Sequence, residues 1–197
     1  MQQLLEYQQV LQKKIDELSF PEEPKNLYDP LRYFLNLGGK RTRPTLTLMG
    51  CSLFGEPGLK AINAAVAVEL FHNFTLIHDD IMDDAPLRRG KNSVHEKWNN
   101  NIGILSGDVL FVEAYKQLAR HEVDVLPELL SIFSRTAKEV CEGQQMDMDF
   151  ESRNDVSIDE YIEMIRLKTS VLLGAALEMG AVIAKADSND VAKIYEF

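Results

Sequence analysis

The sequence predicts an all-α protein, a bundle of helices joined by short loops. Apolar residues recur at helical spacing, as Leu4, Leu11, Ile15 and Leu18 do at the start of the chain. No segment alternates apolar and polar residues over a length that would favour a β-strand. With 197 residues, 45% of them hydrophobic, the chain is long enough for one hydrophobic core, and we expect a single domain over residues 1–197.

Prolines and glycines set the ends of the expected helices. Pro21 to Pro24 separate the first helix from the second, and Gly38-Gly39 ends the second. Pro44 suits the first turn of a third helix, and a Gly-Glu-Pro-Gly loop precedes a long apolar helix from Leu59. The expected helices cover residues 4–18, 27–37, 44–54, 59–84, 102–121, 126–151, 158–185 and 187 onward.

The later helices carry local signals as well. Pro86 ends the long helix after a run of aspartates, and Ser157 followed by Glu160 is a capping box at the start of the helix over 158–185. The last helix opens at Asp187-Ser188 and is cut at Phe197 without a terminator. This ending suggests that the chain is a fragment of a longer protein.

Composition excludes several classes of protein. The net charge of −10 argues against general nucleic-acid binding, which needs a basic face. The apolar stretches are too short, or hold too many charges, for an integral membrane segment, and the N-terminus is not a signal peptide. Cys51 and Cys141 are far apart and fit reduced thiols in a cytoplasmic protein better than a disulfide.

An acidic cluster lies where the long helix ends. Its aspartates, Asp79, Asp80, Asp83 and Asp84, form two pairs four residues apart, each expected to share a helix face. The repulsion within these pairs and with the negative end of the helix costs about 2 kcal/mol in total. A bound divalent cation would reverse that cost, and Mg²⁺ fits better than Ca²⁺ because the EF-hand pattern is missing. Mn²⁺ is the alternative ion, and a solvated acidic turn is the alternative interpretation.

Four further groups of polar residues accompany the aspartates along the chain. Residues 38–44, Gly-Gly-Lys-Arg-Thr-Arg-Pro, place three cations at a helix junction, where free backbone N–H groups also favour anions. Arg88-Arg89-Gly90-Lys91 follows the aspartates and offers bidentate contacts to phosphate. Gln144 and Asp147 share a helix face, and Lys168 enters an apolar run, where a lysine is usually snorkelling unless it faces a site. Each cluster alone is a weak signal.

Taken together, these clusters resemble the motifs of trans-isoprenyl diphosphate synthases of the farnesyl/geranylgeranyl type. The matching segments are Gly-Gly-Lys-x-x-Arg at 38–43, Glu69 to His72, Asp-Asp-x-x-Asp at 79–83, Arg88-Arg89-Gly90, Gly107-Asp108, Glu142-Gly143-Gln144-x-x-Asp147 and Lys168-Thr169. The aspartate motif with Arg-Arg-Gly at this spacing is highly specific. The resemblance implies a helical bundle around a deep central cavity, a homodimer, and head-to-tail (1'-4) condensation of an allylic diphosphate with isopentenyl diphosphate.

The resemblance also implies a role for each matching residue. The implied Mg²⁺ ligands that bridge to the allylic diphosphate are Asp79 and Asp83, supported by Asp80, and Arg88 contacts the same diphosphate. The implied isopentenyl diphosphate pocket consists of Lys40, Arg43, His72 and Arg89. The implied catalytic groups are Lys168, which holds the departing diphosphate, and Thr169 and Gln144, which face the developing allylic cation. Asp147 is the weakest of these transfers.

Residues before the aspartates are expected to set product length. Thr75 lies four residues before Asp79 and nearly under it, Phe74 lies five before it, and Phe71 a turn deeper. In the resembling family, bulk at these positions shortens the product. The aromatic residue five positions before the motif, Phe74, suggests geranylgeranyl or farnesyl diphosphate as the product, and the sequence does not choose between them.

The chain departs from the family pattern in one respect, since it has no second aspartate-rich motif. We therefore expect little or no synthase activity from these 197 residues alone. A noncatalytic subunit is one alternative. A class I terpene cyclase is another, although it has no use for an isopentenyl diphosphate pocket. A ferritin-type di-metal bundle would need two Glu-x-x-His motifs, and the sequence has only Glu69 to His72.

Overall fold

The computed structural model describes residues 2–196, and nearly all of their regular structure is helical. In chain order the helices are α1 (Gln2–Asp16), α2 (Lys25–Leu35), α3 (Thr42–Leu53), α4 (Ile62–Met82), α5 (Val94–Lys97), α6 (Asn100–Leu118), α7 (Leu126–Glu151), α8 (Ile158–Ile165), α9 (Val171–Ile183) and α10 (Ser188–Glu196). A 3₁₀ turn, Gly58–Ala61, precedes α4, and a π-helical turn, Arg166–Ser170, joins α8 to α9. Strands β1 (Leu87–Arg88) and β2 (Lys91–Asn92) pair antiparallel between α4 and α5.

The expected helices are present, with four differences. The long helix begins at Ile62 rather than at Leu59, because Gly58–Ala61 form a 3₁₀ turn. The helix expected over 158–185 is divided by the π-helical turn, and the two-residue strands with α5 were not anticipated. The long helix ends at Met82, before the last two aspartates. Asp84 then adopts φ 48°, while Ala85 N–H donates to Asp80 O at 2.9 Å and Asp84 N–H to Ile81 O at 3.4 Å. This pattern is a Schellman motif with aspartate in the position that glycine usually takes.

The Schellman motif overturns one sequence-based expectation, that Asp80 and Asp84 share a helix face. The Asp80 side chain is 1% exposed and the Asp84 side chain 97% exposed. The left-handed residue turns the chain away from the helix axis, so that the two carboxylates face different surroundings.

The chain divides into two compact units. The first takes the described residues up to Thr45 together with Val66–Arg120, and its core is built from buried side chains of α1, α2, α4 and α6, including Leu11, Leu31, Phe71 and Leu110. The second takes Leu46–Ala65 and the described residues from His121 onward, with buried Phe133 and Met179. No helix within residues 2–196 is both long enough and apolar enough to cross a bilayer.

Glycines allow close helix packing inside the second unit, as the small-residue run of α9 suggested. A Cβ atom at Gly180 would collide with Thr47 O on α3, and one at Gly50 would lie 2.5 Å from Leu177 O on α9. Since real Cβ atoms do not approach so closely, α3 and α9 pack backbone against backbone at these two positions. The small residues of α9 therefore serve packing here.

The capping box at the start of α8 is confirmed and supports a stability prediction. Ser157 Oγ accepts from Glu160 N–H at 3.3 Å, and the Glu160 carboxylate accepts from Ser157 N–H at 2.9 Å. We expect Ser157→Ala to lower the free energy of unfolding by about 1 kcal/mol, measured by urea denaturation, because a helix N–H loses its acceptor. Ser152→Ala is the control, since Ser152 Oγ only donates to Asp149 O. Equal losses in the two variants would contradict the prediction.

Candidate functional site

Four of the eight residues that line a cavity of about 480 Å³ in the first unit are cationic. It is bounded by residues 39–43, from the connection between α2 and α3, and by Glu69, His72 and Arg89. Lys40, Arg41, Arg43 and Arg89 carry positive charge, and Glu69 is the one acidic residue in the lining. The excess of positive charge suits a compact anion with several negative oxygens.

The glycines of the 38–43 connection explain how the cations come together. Gly38 and Gly39 have φ of 79° and 148°, values that L side chains rarely adopt. A Cβ atom at Gly39 would lie 3.0 Å from Arg89 Nη2, so the missing side chain leaves room for that guanidinium. On the other side, Gln8 Nε2 donates to Lys40 O at 2.9 Å and holds the connection against α1.

A buried ion pair lies against the cavity and was missed as a functional feature by the sequence analysis. The side chains of Arg41 and Glu69 are 2% and 3% exposed, and Arg41 Nη1 donates to Glu69 Oε1. Arg41 also donates to Leu35 O at 3.2 Å and to Gln12 Oε1 at 3.1 Å, and Asn73 Nδ2 donates to Glu69 Oε1 at 3.0 Å. Arg41 thereby ties α1, α2 and α4 to the cationic connection. A glutamate within the apolar run of α4 was the sequence signal that could have indicated this pair.

His72 is the neutral member of the cavity wall. The pKa of His72 is lowered from 6.5 to about 3, first by burial and then by the positive charges of nearby arginines, which are Arg43, Arg89, Arg88 and Arg41. The imidazole is therefore neutral at physiological pH, and Arg43 Nη1 donates toward its Nε2 at 3.3 Å. Burial likewise lowers the pKa of Arg43 and of Arg89, which remain charged guanidinium groups. A neutral ring adds a hydrogen-bonding group without adding to the crowding of charge.

The aspartate cluster is divided by its environment. Asp80 is buried, and its carboxylate accepts hydrogen bonds from Arg88. Arg88 Nε donates to Asp80 Oδ1 at 2.9 Å and to Oδ2 at 3.2 Å, and Arg88 Nη2 also donates to Oδ1. The hydrogen bonds from Arg88 to Asp80 raise the pKa of Arg88. Asp79 is half-buried, Asp83 is exposed, and Asp83 N–H donates to Asp79 O at 2.8 Å, which keeps the two residues one helical turn apart. Carboxylates of this spacing fit the oxygen ligands that Mg²⁺ prefers, with Asp80 already engaged by Arg88.

The hairpin after α4 separates the two neighbouring arginines. Arg88 pairs with Lys91 and Leu87 with Asn92, so Arg89 and Gly90 are the two central residues of the turn. Both have positive φ, 54° and 76°, as a type I′ turn requires. Arg88 consequently reaches Asp80, whereas Arg89 lines the cationic cavity. Tyr33 Oη donates to Asn92 O at 2.8 Å and fixes the hairpin to α2.

The residues expected to control product length lie in an aromatic cluster of the first unit. Phe74 stacks on Phe111 with ring centres 5.0 Å apart and makes an edge contact with His78 at 4.5 Å. Phe71 is buried, and the centre of its ring lies 5.7 Å from the centre of the Phe74 ring. Thr75 Oγ1 donates a hydrogen bond to His72 O at 2.8 Å. Gly107 leaves space for His78, because a Cβ atom there would lie 2.5 Å from His78 Nε2. This contact gives the Gly107-Asp108 motif a packing reason.

The remaining predicted site residues lie in the second unit. Lys168 sits in the π-helical turn and donates to Asp147 Oδ2 at 2.5 Å, which joins the two motifs that the sequence presented separately. Gln144 is buried, and neither amide atom has a hydrogen-bond partner among the described residues. A Cβ atom at Gly143 would collide with the backbone of Lys168, so this glycine lets α7 approach the turn. Thr169 is exposed.

Comparisons with known proteins agree with this fold and these motifs. A sequence profile of the polyprenyl synthetase family matches residues 24–197. The geranylgeranyl pyrophosphate synthase of Geoglobus acetivorans is 43% identical over 182 residues, which cover 91% of this chain and 57% of the relative. The geranylgeranyl diphosphate synthase of Methanosarcina mazei is 45% identical over 181 residues, which cover 91% of this chain and 56% of the relative. A crystal structure of a geranylgeranyl pyrophosphate synthase, 52% identical, matches with a TM-score of 0.95 over 98% of this chain and 59% of that one.

The fold and the site define an all-α protein suited to bind compact anions beside an aspartate-rich helix end. The chain belongs to the polyprenyl synthetase family. The predicted isoprenyl-synthase fold and the family resemblance are therefore confirmed. The chain spans a little more than half the length of the first two relatives that it matches.

Proposed function

We propose that this chain is the diphosphate-binding part of a short-chain trans-polyprenyl diphosphate synthase. Such an enzyme condenses an allylic diphosphate with isopentenyl diphosphate head-to-tail (1'-4) through an allylic carbocation. The observation that carries the proposal is the division of cationic groups in the first unit. Lys40, Arg43 and Arg89 line one cavity, while Arg88 lies with the aspartates. Two separate groups of cations suit two diphosphates better than one.

The cationic cavity is the proposed isopentenyl diphosphate site. Guanidinium groups of Arg43 and Arg89 bind diphosphate oxygens in a bidentate manner, and Lys40 adds a point charge. His72 is neutral and contributes a hydrogen bond at the edge of the site. The cavity volume, about 480 Å³, is ample for a five-carbon diphosphate.

The aspartates are the proposed site of Mg²⁺, with Mn²⁺ as the alternative ion. Asp79 and Asp83 would hold the ion, and Asp80 would act through Arg88, which its carboxylate orients. When bound, the metal supplies Lewis-acid stabilisation of the departing allylic diphosphate, typically several kcal/mol. Arg88 would bind the same diphosphate, because its remaining N–H groups are not all used by Asp80.

In the second unit we propose Lys168 as a further diphosphate-binding group, held in position by Asp147. Gln144 is buried with both amide atoms unused among residues 2–196, which supports a role toward a ligand, and Thr169 is proposed beside it. Phe71, Phe74 and Thr75 are proposed to limit product length. Relatives named geranylgeranyl diphosphate synthase favour that product over farnesyl diphosphate. A single synthase domain, a homodimer and a cytoplasmic location complete the proposal.

None of the alternatives gains support. The family match disfavours a ferritin-type bundle, and the relatives' names do not favour a terpene cyclase or a noncatalytic subunit. Incorporation of radiolabelled isopentenyl diphosphate by the gene product that contains this chain would separate the synthase from a cyclase.

Binding of isopentenyl diphosphate to the 197-residue chain tests the cationic cavity. We expect Lys40→Ala and Arg89→Ala each to raise the dissociation constant about 10- to 100-fold, because each removes a charge-assisted contact of about 1.5–3 kcal/mol. Isothermal titration calorimetry measures the effect without added metal. Lys13→Ala, which removes an exposed cation of α1, is the matched control and should bind like the parent chain. Equal affinity in all four proteins would contradict the assignment.

Binding of an allylic diphosphate tests the aspartates separately. We expect Mg²⁺ to lower the dissociation constant of the allylic diphosphate. In the presence of Mg²⁺, we expect Asp79→Ala to raise that constant about tenfold, because one charged ligand of the ion is lost. Asp159→Ala, at the exposed start of α8, is the control. In the gene product that contains this chain, equal prenyl transfer with and without Asp79 would remove this residue from the mechanism.

A further inference from the structure

A second group of potential metal ligands lies just beyond the aspartate motif. Asp84, His95 and Glu96 each offer one ligand atom, and these atoms all lie within 4.8 Å of one another. His95 Nε2 is 4.0 Å from Asp84 Oδ1 and 3.8 Å from Glu96 Oε1. None of the three belongs to the proposed diphosphate or Mg²⁺ sites. The Schellman motif at the end of α4 turns Asp84 away from Asp80, and α5 presents His95 and Glu96.

The histidine is the member of this group that points to a ligand. Its side chain is 4% exposed, and neither ring nitrogen has a hydrogen-bond partner among residues 2–196. Buried polar groups in folded proteins are almost always hydrogen-bonded, because an unsatisfied one costs about 1–3 kcal/mol. Of the two nitrogens, Nε2 is the one directed between the two carboxylates. A bound cation would satisfy this nitrogen.

The charges of the group also lack compensation. Across the described part of the chain, neither Asp84 nor Glu96 forms an ion pair with a lysine or arginine, and each has His95 as its ion-pair neighbour. Lys97, next in sequence, is occupied elsewhere, with its Nζ 3.8 Å from the centre of the Tyr33 ring. The two carboxylates therefore present two negative charges beside the imidazole ring, and one divalent cation would balance them.

We propose that Asp84, His95 and Glu96 bind one transition-metal dication of the Zn²⁺ class, independently of the proposed prenyl transfer. An imidazole nitrogen with two carboxylate oxygens is a donor set that Zn²⁺ accepts, whereas Mg²⁺ prefers oxygen ligands only. With metal–ligand bonds of about 2.0–2.1 Å, tetrahedral ligand atoms lie ~3.3 Å apart. To reach this spacing, the distance from His95 Nε2 to each carboxylate oxygen would have to shorten by less than about 1 Å. The Asp84 and Glu96 side chains are exposed, and their rotation can supply this movement.

The location gives the ion a role. Residues 84 and 95 bracket the β1–β2 hairpin, which carries Arg88 and Arg89. An ion held from both sides closes this segment into a loop and restrains the hairpin from its two ends. The site is therefore inferred to be a structural clamp on the two arginines rather than a part of the reacting centre.

Zinc binding to the metal-free 197-residue chain tests the proposal. Equilibrium dialysis against Zn²⁺ in excess Mg²⁺, followed by elemental analysis, is expected to find one Zn²⁺ per chain. His95→Asn and Asp84→Asn are each expected to weaken binding by about tenfold or more, as loss of a ligand should cost at least as much as loss of an outer-sphere partner. Asp84→Asn keeps the fold testable, since the residue is exposed and asparagine tolerates positive φ.

Two controls locate the ion. His121→Asn removes another part-buried histidine whose Nε2 has no hydrogen-bond partner in the described chain, and Asp79→Asn removes a carboxylate of the aspartate motif. Both variants should retain zinc, and X-ray absorption should show one imidazole nitrogen and oxygen ligands. Absence of zinc from the parent chain, unchanged binding in His95→Asn, or loss of zinc only in Asp79→Asn would each overturn the proposal.

Discussion

Replacing Glu69 with leucine is expected to lower the free energy of unfolding by about 3–5 kcal/mol. The substitution removes the only carboxylate that faces the Arg41 guanidinium among the described ion pairs, and both side chains are almost fully buried. Arg41 would keep its hydrogen bonds to Leu35 O and Gln12 Oε1, but its charge would remain in a site shielded from water. An unpaired buried charge is far more costly than the net value of the pair itself. Equilibrium denaturation in guanidinium chloride measures the loss.

A double substitution separates the charge effect from a loss of packing. Arg41→Met combined with Glu69→Leu removes both charges and should recover most of the stability that Glu69→Leu loses, so the two changes should be strongly non-additive. Glu17→Gln is the surface control, because Glu17 and its partner Lys13 are both largely exposed and the pair contributes little. If the double variant were as unstable as the sum of the two single variants, the unpaired charge would not be the cause.

Acidification is expected to destabilise the protein through His72. The folded pKa of His72 is about 3, lowered from 6.5 first by burial and then by Arg43 and Arg89. An unfolded chain takes up a proton near its ordinary pKa, whereas the folded chain does not until the lower value is reached. The contribution of His72 to stability is therefore complete above pH 6.5 and is lost progressively as the pH falls toward about 3. The slope in this window is about 1.4 kcal/mol per pH unit.

The variant His72→Gln isolates this contribution from the titration of carboxylates. We expect the free energy of unfolding of the parent chain to fall by about 2 kcal/mol more than that of His72→Gln between neutral pH and about pH 5. Urea denaturation at a series of pH values measures the difference. His78→Gln serves as the control, since His78 Nε2 already contacts Ile104 O at 3.1 Å. Identical pH dependence of the parent and His72→Gln would show that the protonation of His72 is not linked to folding.

Helix positions could be predicted from the sequence because their signals are local. The bounds of α7, Leu126–Glu151, agree with the expected helix, and the capping box at Ser157 is formed. The π-helical turn at Arg166–Ser170 had no such signal. It lies against Gly143, whose missing Cβ leaves room for the Lys168 backbone, so its place depends on packing between segments distant in sequence.

Residue spacing predicted the residue types of the candidate site, and the family resemblance implied that Arg88 and Arg89 contact different diphosphates. Spacing identified the cations at 38–43, the aspartates and the two arginines. It did not reveal that Arg88 binds Asp80 while Arg89 lines the cationic cavity, because that division depends on a type I′ turn. Asp84 was expected to share a helix face with Asp80, but the helix ends before it in a Schellman motif. No signal in the sequence indicated this ending, because aspartate rarely adopts the left-handed conformation and no sequence pattern marks it.

The β1–β2 hairpin has a consequence for protein engineering. The turn contains only two residues, so it cannot absorb a change in strand pairing. The pairing of Arg88 with Lys91 therefore fixes the direction of each neighbouring side chain. Adding or deleting one amino acid here would shift the pairing and turn side chains of the shifted strand toward the opposite face of the hairpin. In grafts and chimeras that include this hairpin, keeping the number of residues in the turn is therefore more important than keeping each amino acid.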